Sequence, residues 1–322
     1  MKPVVYHIPV LPGDLETTVE EKVGRLFDAS GLIDCTRQGD LVGIKVHFGE
    51  EGNETFVKPS RLRVVVDRLQ RNKTKPFFTD TNTLYTGMRS NSVDHTRLAE
   101  KHGFGISDTG IPVIISDGLA GEDEMEVEIG CKHFKKVGIA AGIASTDSLM
   151  VITHVTGHCA SGLGGAIKNL GMGCSSRKGK LQQHSALNPK IRTEKCTGDL
   201  RCAKKCPADA IIEVDSKAQI VEEKCIGCGE CIVTYRFNAV TFNWDLSGPA
   251  LQERMAEHAL GVVKQKRDRV GYISFMTTMT KECDCFGNKE KDVLVPAVGV
   301  AASRDPLEIG RASCRERVCH RV

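Results

Sequence analysis

Apolar and polar positions alternate along the first half of the chain with two different periods. In LETTVEEKVGRLFDASG, apolar residues recur at helical spacing from Leu15 onward, whereas PVVYHIPV is a short apolar run typical of a strand. The same patterns predict strands in DLVGIKVHFGE, KPFFTDTN, IPVIISDG and SLMVITHVTGH, and helices in PSRLRVVVDRLQR, SVDHTRLAEKHGF and GGAIKNLG. Strands that alternate with helices predict an α/β fold, with a mostly parallel sheet flanked by helices.

The alternation stops near Pro189 and resumes after Trp244, where PALQERMAEHALGVVKQK predicts a helix and VGYISFMTTMT and LVPAVGVAAS predict strands. We therefore predict an α/β domain in two parts, residues 1–188 and 247–310, interrupted by an inserted α+β ferredoxin-like module at residues 189–246. The final segment, RASCRERVCHRV at 311–322, is basic and has no apolar period. We expect it to be a non-native tail that follows a truncated second part.

The inserted segment contains two cysteine runs, CTGDLRCAKKCP and CIGCGECIVTYR, that resemble the ferredoxin run C-x2-C-x2-C-x3-C-P. In two-cluster ferredoxins the fourth cysteine of each run binds the other cluster. Applied here, that crossover leaves one complete ligand set: Cys206, Cys225, Cys228 and Cys231. The other set would need Cys196, Cys202 and two positions that hold Asp199 and Tyr235. The sequence predicts one [4Fe–4S] cluster, with zinc on the same four cysteines as the alternative.

Polar side chains follow five of the predicted strands. These side chains are Lys45, His47 and Glu50; Asp80, Asn82 and Tyr85; His154 and His158; Cys283, Asp284 and Cys285; and Ser303, Arg304 and Asp305. Polar residues commonly cap strands, but ligands of open α/β sheets bind beyond the carboxyl ends of the strands. We therefore expect these groups to share one cleft.

The candidate catalytic residues for substrate binding or proton transfer in that cleft are Lys45, His47, His154, His158 and Lys168. A second metal ion is predicted at Cys283, Cys285 and His184, because thiolate and imidazole together suit zinc, iron or nickel.

A glycine-rich segment, GHCASGLGGAIKNLGMGCSSRKGKLQQH, follows the strand that ends with the two histidines. Its glycines allow the backbone to approach a ligand closely. Its cations, Lys168, Arg177, Lys178 and Lys180, could clamp a phosphate or a carboxylate. The alternative is a solvated basic loop that packs on the cysteine module.

The chain resembles the DUF362 family of iron–sulfur-centre proteins. The residues that carry the resemblance are GIKVHFGEEGN, FFTDTNTLYTGMRSNSVDH, ITHVTGHCASGLGGAIKNLGMGCSSRKGKLQQH, the cysteine runs, and ECDCF with VGVAASRDP. The resemblance covers residues 1 to about 306. It implies the fold and a cluster, but no reaction. Family members commonly carry a full pair of cysteine runs, from which this chain departs at Asp199 and Tyr235.

Composition narrows the function further. The net charge of +3 gives no reason to expect a nucleic-acid partner, and no run of apolar residues is long enough to predict a membrane span or a signal peptide. Fourteen cysteines in such a chain indicate metal binding in a reducing cytoplasm. We expect a cytoplasmic redox protein with an electron-transfer partner or reductase and a small anionic substrate. The alternative is a non-catalytic electron carrier or binding protein in which the cluster is a structural staple.

Overall fold

The structure is a computed structural model that describes residues 4–85, 87–184, 189–225, 231, 239–241 and 249–319. Within these residues the main sheet has seven strands in the order β1-β15-β14-β7-β2-β3-β4. The strands are β1 (Val5–Pro9), β2 (Leu41–Lys45), β3 (Lys75–Asp80), β4 (Val113–Ile115), β7 (Ser148–His154), β14 (Val270–Thr280) and β15 (Val293–Ser303). Strands β14, β7, β2, β3 and β4 are parallel to one another, and β15 and β1 add antiparallel pairings at one edge. The predicted α/β fold with a mostly parallel sheet is confirmed.

Helices cover both faces of the sheet. They are α1 (Glu16–Ser30), α2 (Arg63–Arg71), α3 (Ser92–Ala99), α4 (Ile106–Thr109), α5 (Ala141–Ser145), α6 (Ala166–Gly171), α7 (Arg177–His184), α8 (Arg201–Lys204), α9 (Pro249–Lys266) and α10 (Pro306–Cys319). Helices α1 and α2 bury their apolar stripes in a core on one face. Helices α6, α9 and α10 contribute to a second core on the other face. None of the described helices combines the length and apolar character that a membrane crossing requires.

Smaller two-stranded elements lie outside the main sheet. They are β5 (Glu124–Glu128) with β6 (Lys136–Ala140), β8 (Thr156–His158) with β9 (Gly162–Gly164), β10 (Lys190–Ile191) with β13 (Val240–Thr241), and β11 (Ile211–Val214) with β12 (Lys217–Ile220). A third apolar cluster, which we call the cysteine core, contains Cys196, Cys202 and Cys231 among its buried residues. Leu84 and Leu181 from the α/β part of the chain also belong to it.

Several element boundaries differ from the sequence prediction. Strand β7 ends at His154, and Thr156–His158 turns away to pair with Gly162–Gly164. Gly157 is required at this turn because a Cβ there would clash with the Lys281 carbonyl. Helix α10 extends across the predicted boundary at residue 310, and its Ile309 and Ser313 are buried. The domain limits themselves stay a prediction.

Candidate functional site

A cavity of about 540 Å³ lies where β2, β3, β7 and β14 end. Its walls bring together the candidate residues Lys45, His47, Asp80, Tyr85, His154, His158, Lys168, Lys180, His184, Cys283, Asp284 and Cys285. Volumes of roughly 300–1,000 Å³ are usual for small-molecule sites. The expected shared cleft therefore corresponds to one cavity at the carboxyl edge of the parallel strands.

Some candidates lie elsewhere. The group Ser303–Asp305 was expected at the cleft, but β15 is antiparallel to β14, so its carboxyl end lies at the opposite edge of the sheet. That expectation was wrong. Arg177 donates instead to the Ala120 carbonyl, and Lys178 forms an ion pair with Glu124. Two of the four cations in the glycine-rich segment, Lys168 and Lys180, thus line the cavity.

A buried ion-pair network forms one wall of the cavity. Lys45, which is 1% exposed, places its Nζ 2.9 Å from Asp80 Oδ1 and 2.9 Å from Asn169 Oδ1. The Arg89 guanidinium lies 3.4 Å from Asp80 and 3.3 Å from Glu50. Burial alone would raise the pKa of Asp80, but the surrounding cations, Lys45 foremost, hold that pKa well below its usual range.

Gly173 explains how Lys45 reaches this position. A Cβ at residue 173 would lie 2.7 Å from Lys45 Nζ and would also clash with the Asn169 carbonyl. Only glycine leaves room there for a lysine that must approach Asn169 and Asp80 at once. The glycine-rich segment therefore shapes the floor of the cavity.

His154 and Asp284 form a second buried ion pair. His154 Nδ1 lies 2.7 Å from Asp284 Oδ2, and its Nε2 lies 2.8 Å from the Thr277 carbonyl oxygen. Both partners are acceptors, so both ring nitrogens donate and the ring is an imidazolium. Burial would lower the pKa of His154, but Asp284 raises it above its usual value. With both nitrogens engaged, this histidine anchors the loop that follows β14.

The Cys285 sulfur is surrounded by hydrogen-bond donors. His47 Nε2 is 3.5 Å from Sγ, and because His47 Nδ1 accepts from Gly49 N at 3.0 Å, the ring proton is on Nε2. A hydrogen bond from Cys283 and the charge of Lys168 hold the pKa of Cys285 well below its usual value. The same hydrogen bond and burial raise the pKa of Cys283 above its usual value. His47 therefore donates to Cys285, while the Lys168 ammonium hydrogen bonds to Cys283.

Two other histidines of the cavity are neutral. Burial and the nearby Lys168 ammonium lower the pKa of His158 to about 4, and the same causes lower the pKa of His184 to about 4. His158 Nδ1 accepts from Ser161 N at 3.0 Å, so its Nε2 carries the proton.

Lys180 differs from the other cavity cations. Its Nζ donates to Thr81 Oγ1 at 2.5 Å and to the Ser175 carbonyl at 2.7 Å, and among the described residues it has no carboxylate within ion-pair distance. Burial lowers the pKa of Lys180 to about 8, so it is mostly protonated at neutral pH. Its charge therefore favours an anion in the cavity.

The predicted cluster ligands are described in part. Cys206 Sγ accepts a hydrogen bond from Ala210 N at 3.3 Å, Cys225 is half-buried, and Cys231 is buried in the cysteine core. Cys228 and Tyr235 lie outside the described residues. Iron–sulfur clusters use cysteine ligands that accept backbone N–H hydrogen bonds, and Cys206 makes a contact of that kind. Among the described residues no three such side chains form an assembled ligand group, so the cluster stays a prediction.

The predicted second metal has no assembled ligand set in the described part of the chain. Within that part, no group of three or more His, Cys, Asp and Glu side chains is arranged to hold a metal ion. Cys283, Cys285 and His184 all line the cavity, but the contact that the structure gives Cys285 is with His47. The second metal stays a prediction.

Sequence reasoning missed Arg89, Asn169 and Leu84. Arg89 is 2% exposed and joins Asp80, Glu50 and Tyr85, although it follows no strand directly. Its only sequence signal is its place in the polar segment TDTNTLYTGMRS after β3. Leu84 lines the cavity and also packs in the cysteine core.

Fold and cavity together define an α/β protein with a cavity at the carboxyl edge of a largely parallel sheet. The chain belongs to the family described as Domain of unknown function (DUF362), which it matches over residues 42–315. No curated protein matches the sequence.

Several solved structures are similar to this chain. A crystal structure of a protein from Thermotoga maritima superposes with a TM-score of 0.50 at 10% identity, over 95% of this chain and 60% of that one. The lactate racemase apoprotein from Thermoanaerobacterium thermosaccharolyticum superposes with a TM-score of 0.49 at 12% identity, over 97% of this chain and 61% of that one. The chain thus spans about three fifths of the length of each of these two proteins. At 10% identity, the likeness to the Thermotoga maritima protein concerns the fold alone.

Proposed function

We propose that this is a redox protein that holds one [4Fe–4S] cluster and acts on a small anion in the cavity. The cluster ligands would be Cys206, Cys225, Cys228 and Cys231. When bound, the cluster would supply one-electron transfer. The protein's own residues would bind the anion, orient it and provide protons.

The observation that carries the proposal is that helix α7 takes part in both sites. Lys180 and His184 line the cavity, while Leu181 between them packs in the cysteine core with Cys231. Leu84 also belongs to both. A cluster held by Cys231 would therefore lie close to the cavity wall, as electron exchange with a bound molecule requires.

The cations of the cavity support an anionic substrate. Lys45 and Arg89 are engaged with Asp80, and Lys168 lies beside the two cysteines, whereas Lys180 contacts only neutral acceptors among the described residues. Its ammonium would bind the anion and could give it a proton as it gains electrons. His158, with its proton on Nε2, can donate a hydrogen bond to the same molecule.

An anaerobic redox titration followed by electron paramagnetic resonance tests the redox role. We expect reversible one-electron reduction of the purified protein. A cluster that resists reduction and reoxidation, while its removal unfolds the cysteine core, would favour the structural staple.

Calorimetric titration with oxalate and with phosphate tests the anion site. We expect Lys180→Met to weaken binding of the preferred anion by at least about tenfold, which is about 1.4 kcal/mol. The matched control is Lys178→Met on the same helix, because Lys178 pairs with Glu124 away from the cavity. Equal affinities of the wild type, Lys180→Met and Lys178→Met for the anion would contradict the proposed anion site.

A further inference from the structure

The loop after β14 presents two thiols to the cavity. Cys283 and Cys285 flank Asp284 in a turn closed by a hydrogen bond of 3.0 Å from Phe286 N to the Cys283 carbonyl. The Asp284 carboxylate is held by His154 at 2.7 Å and by Asn53 Nδ2 at 3.3 Å, and its carbonyl accepts from Glu50 N at 2.9 Å. The middle residue of the turn is thus fixed, and both flanking sulfurs line the cavity.

The two cysteines differ in their surroundings. Cys283 is 5% exposed, whereas Cys285 is half-buried. The Cys285 sulfur accepts from His47 Nε2–H and lies beside the Tyr85 hydroxyl. The Lys168 ammonium lies near both sulfurs and hydrogen bonds to Cys283. Tyr85 accepts a hydrogen bond from Arg89, which leaves its own proton free to donate to sulfur.

The Cys283 thiol is the remaining neighbour of that sulfur. Its side chain hydrogen bonds to Cys285, two residues further along the same turn. A half-buried sulfur with hydrogen-bond donors and a buried thiol in the same turn, both lining one cavity, suit thiol–disulfide exchange: one group attacks and the other resolves the mixed disulfide.

We propose that Cys285 and Cys283 are the attacking and resolving thiols of a site that reduces a small anionic disulfide entering the cavity. The Cys285 thiol gives its proton to solvent, and its sulfur attacks one sulfur of R–S–S–R, forms Cys285–S–S–R and releases R–S⁻. Cys283 gives its proton to solvent, attacks the Cys285 sulfur, forms the Cys283–Cys285 disulfide and releases the second R–S⁻. Both leaving groups take up protons, so the substrate gains two electrons and two protons that the protein loses. A thiol reductant returns the pair to the dithiol.

The cavity itself sets the substrate class. A volume of about 540 Å³ admits a small molecule and excludes a folded protein partner. Lys168 and Lys180 favour negative charge on that molecule. The activity is additional to the cluster function proposed above and needs no cluster.

The test treats the reduced full-length protein anaerobically with less than one equivalent of dithiobis(nitrobenzoate), an anionic disulfide, and maps cysteines by mass spectrometry. We expect two nitrothiobenzoate ions released per reagent molecule and an internal Cys283–Cys285 bridge in the wild type. Cys283→Ser should stop at a mixed disulfide on Cys285 with one ion released. Neutral dithiodipyridine should show a smaller preference for the loop thiols over the exposed Cys159, which serves as the internal control.

Three results would overturn the proposal. One is a lasting mixed disulfide on Cys285 in the wild type. Another is modification confined to Cys159 and other exposed cysteines while both loop thiols stay reduced. The third is a Cys283–Cys285 bridge that forms only after a chelator removes a bound metal ion, because the two sulfurs would then be metal ligands. Cysteine mapping of the wild type tests the disulfide proposal even if a variant fails to fold. Iron counting on the same sample tests the cluster separately.

Discussion

Replacing Lys45 with methionine removes the central cation of the buried network and keeps most of the side-chain volume. The carboxylate of Asp80 then loses its partner at 2.9 Å and retains Arg89 at 3.4 Å. Breaking a buried ion pair costs about 3–5 kcal/mol because it leaves a buried charge uncompensated. Since Arg89 remains, we expect the lower end for Lys45→Met, about 3 kcal/mol.

Urea unfolding followed by far-ultraviolet circular dichroism, on wild type and variant in the same cluster state, measures this loss. The matched control is Lys101→Met, because Lys101 pairs with Glu51 at 3.3 Å with both side chains more than half exposed. Exposed pairs contribute little, so the control should change the midpoint only slightly. Equal losses for Lys45→Met and Lys101→Met would refute the reasoning.

The same network predicts a pH dependence with a defined sign. The pKa of Asp80 is depressed in the folded protein, so its ionisation stabilises the fold above the usual Asp pKa of about 4. That stability is lost as the pH falls toward the folded pKa. The gap in stability between wild type and Lys45→Met should therefore narrow as the pH falls below about 4, because the unfolded chain then binds a proton at Asp80 that the folded wild type does not. A gap that widens in acid would contradict the assignment of charges.

Two further predictions concern the edges of the cavity. Asp284 raises the pKa of His154, so this pair stabilises the protein below the usual His pKa of about 6.5. The stabilisation is lost as the pH rises through the folded pKa of His154. Urea unfolding of Asp284→Asn should no longer show this pH dependence of stability, and NMR should show His154 titrating at a lower pH in the variant. Gly157→Ala should lower the free energy of unfolding by about 1–3 kcal/mol, because the added Cβ would clash with the Lys281 carbonyl. Thermal unfolding measures the loss. Gly165→Ala is the control, because its added Cβ would meet open space.

Periodic segments of the sequence predicted the framework well. Helix α9 and strand β14 occupy Pro249–Lys266 and Val270–Thr280, the limits that their apolar patterns predict. The shared cavity was predictable for a geometric reason: parallel strands bring their carboxyl ends to one edge, so polar residues after β2, β3, β7 and β14 meet.

Long-range pairing decided what the sequence could not predict. The antiparallel direction of β15 moved Ser303 to the opposite edge, and no local pattern encodes strand direction. Helix α7 was expected to be a basic loop or an anion clamp, because RKGKLQQH holds a single apolar residue, Leu181. Burial of Lys180 and Gln183 in the folded protein overrides that polar appearance. The role of Arg89 depends on carboxylates distant in sequence, which only the fold brings together.

The central claim is that the cysteine runs hold one cluster beside the cavity. Iron and acid-labile sulfide, counted on anaerobically purified protein, test it most directly. We predict about four of each per chain in the wild type and in Cys202→Ser, and a clear loss of both in Cys206→Ser. About eight of each, zinc in place of iron, or equal loss in the two variants would contradict the account.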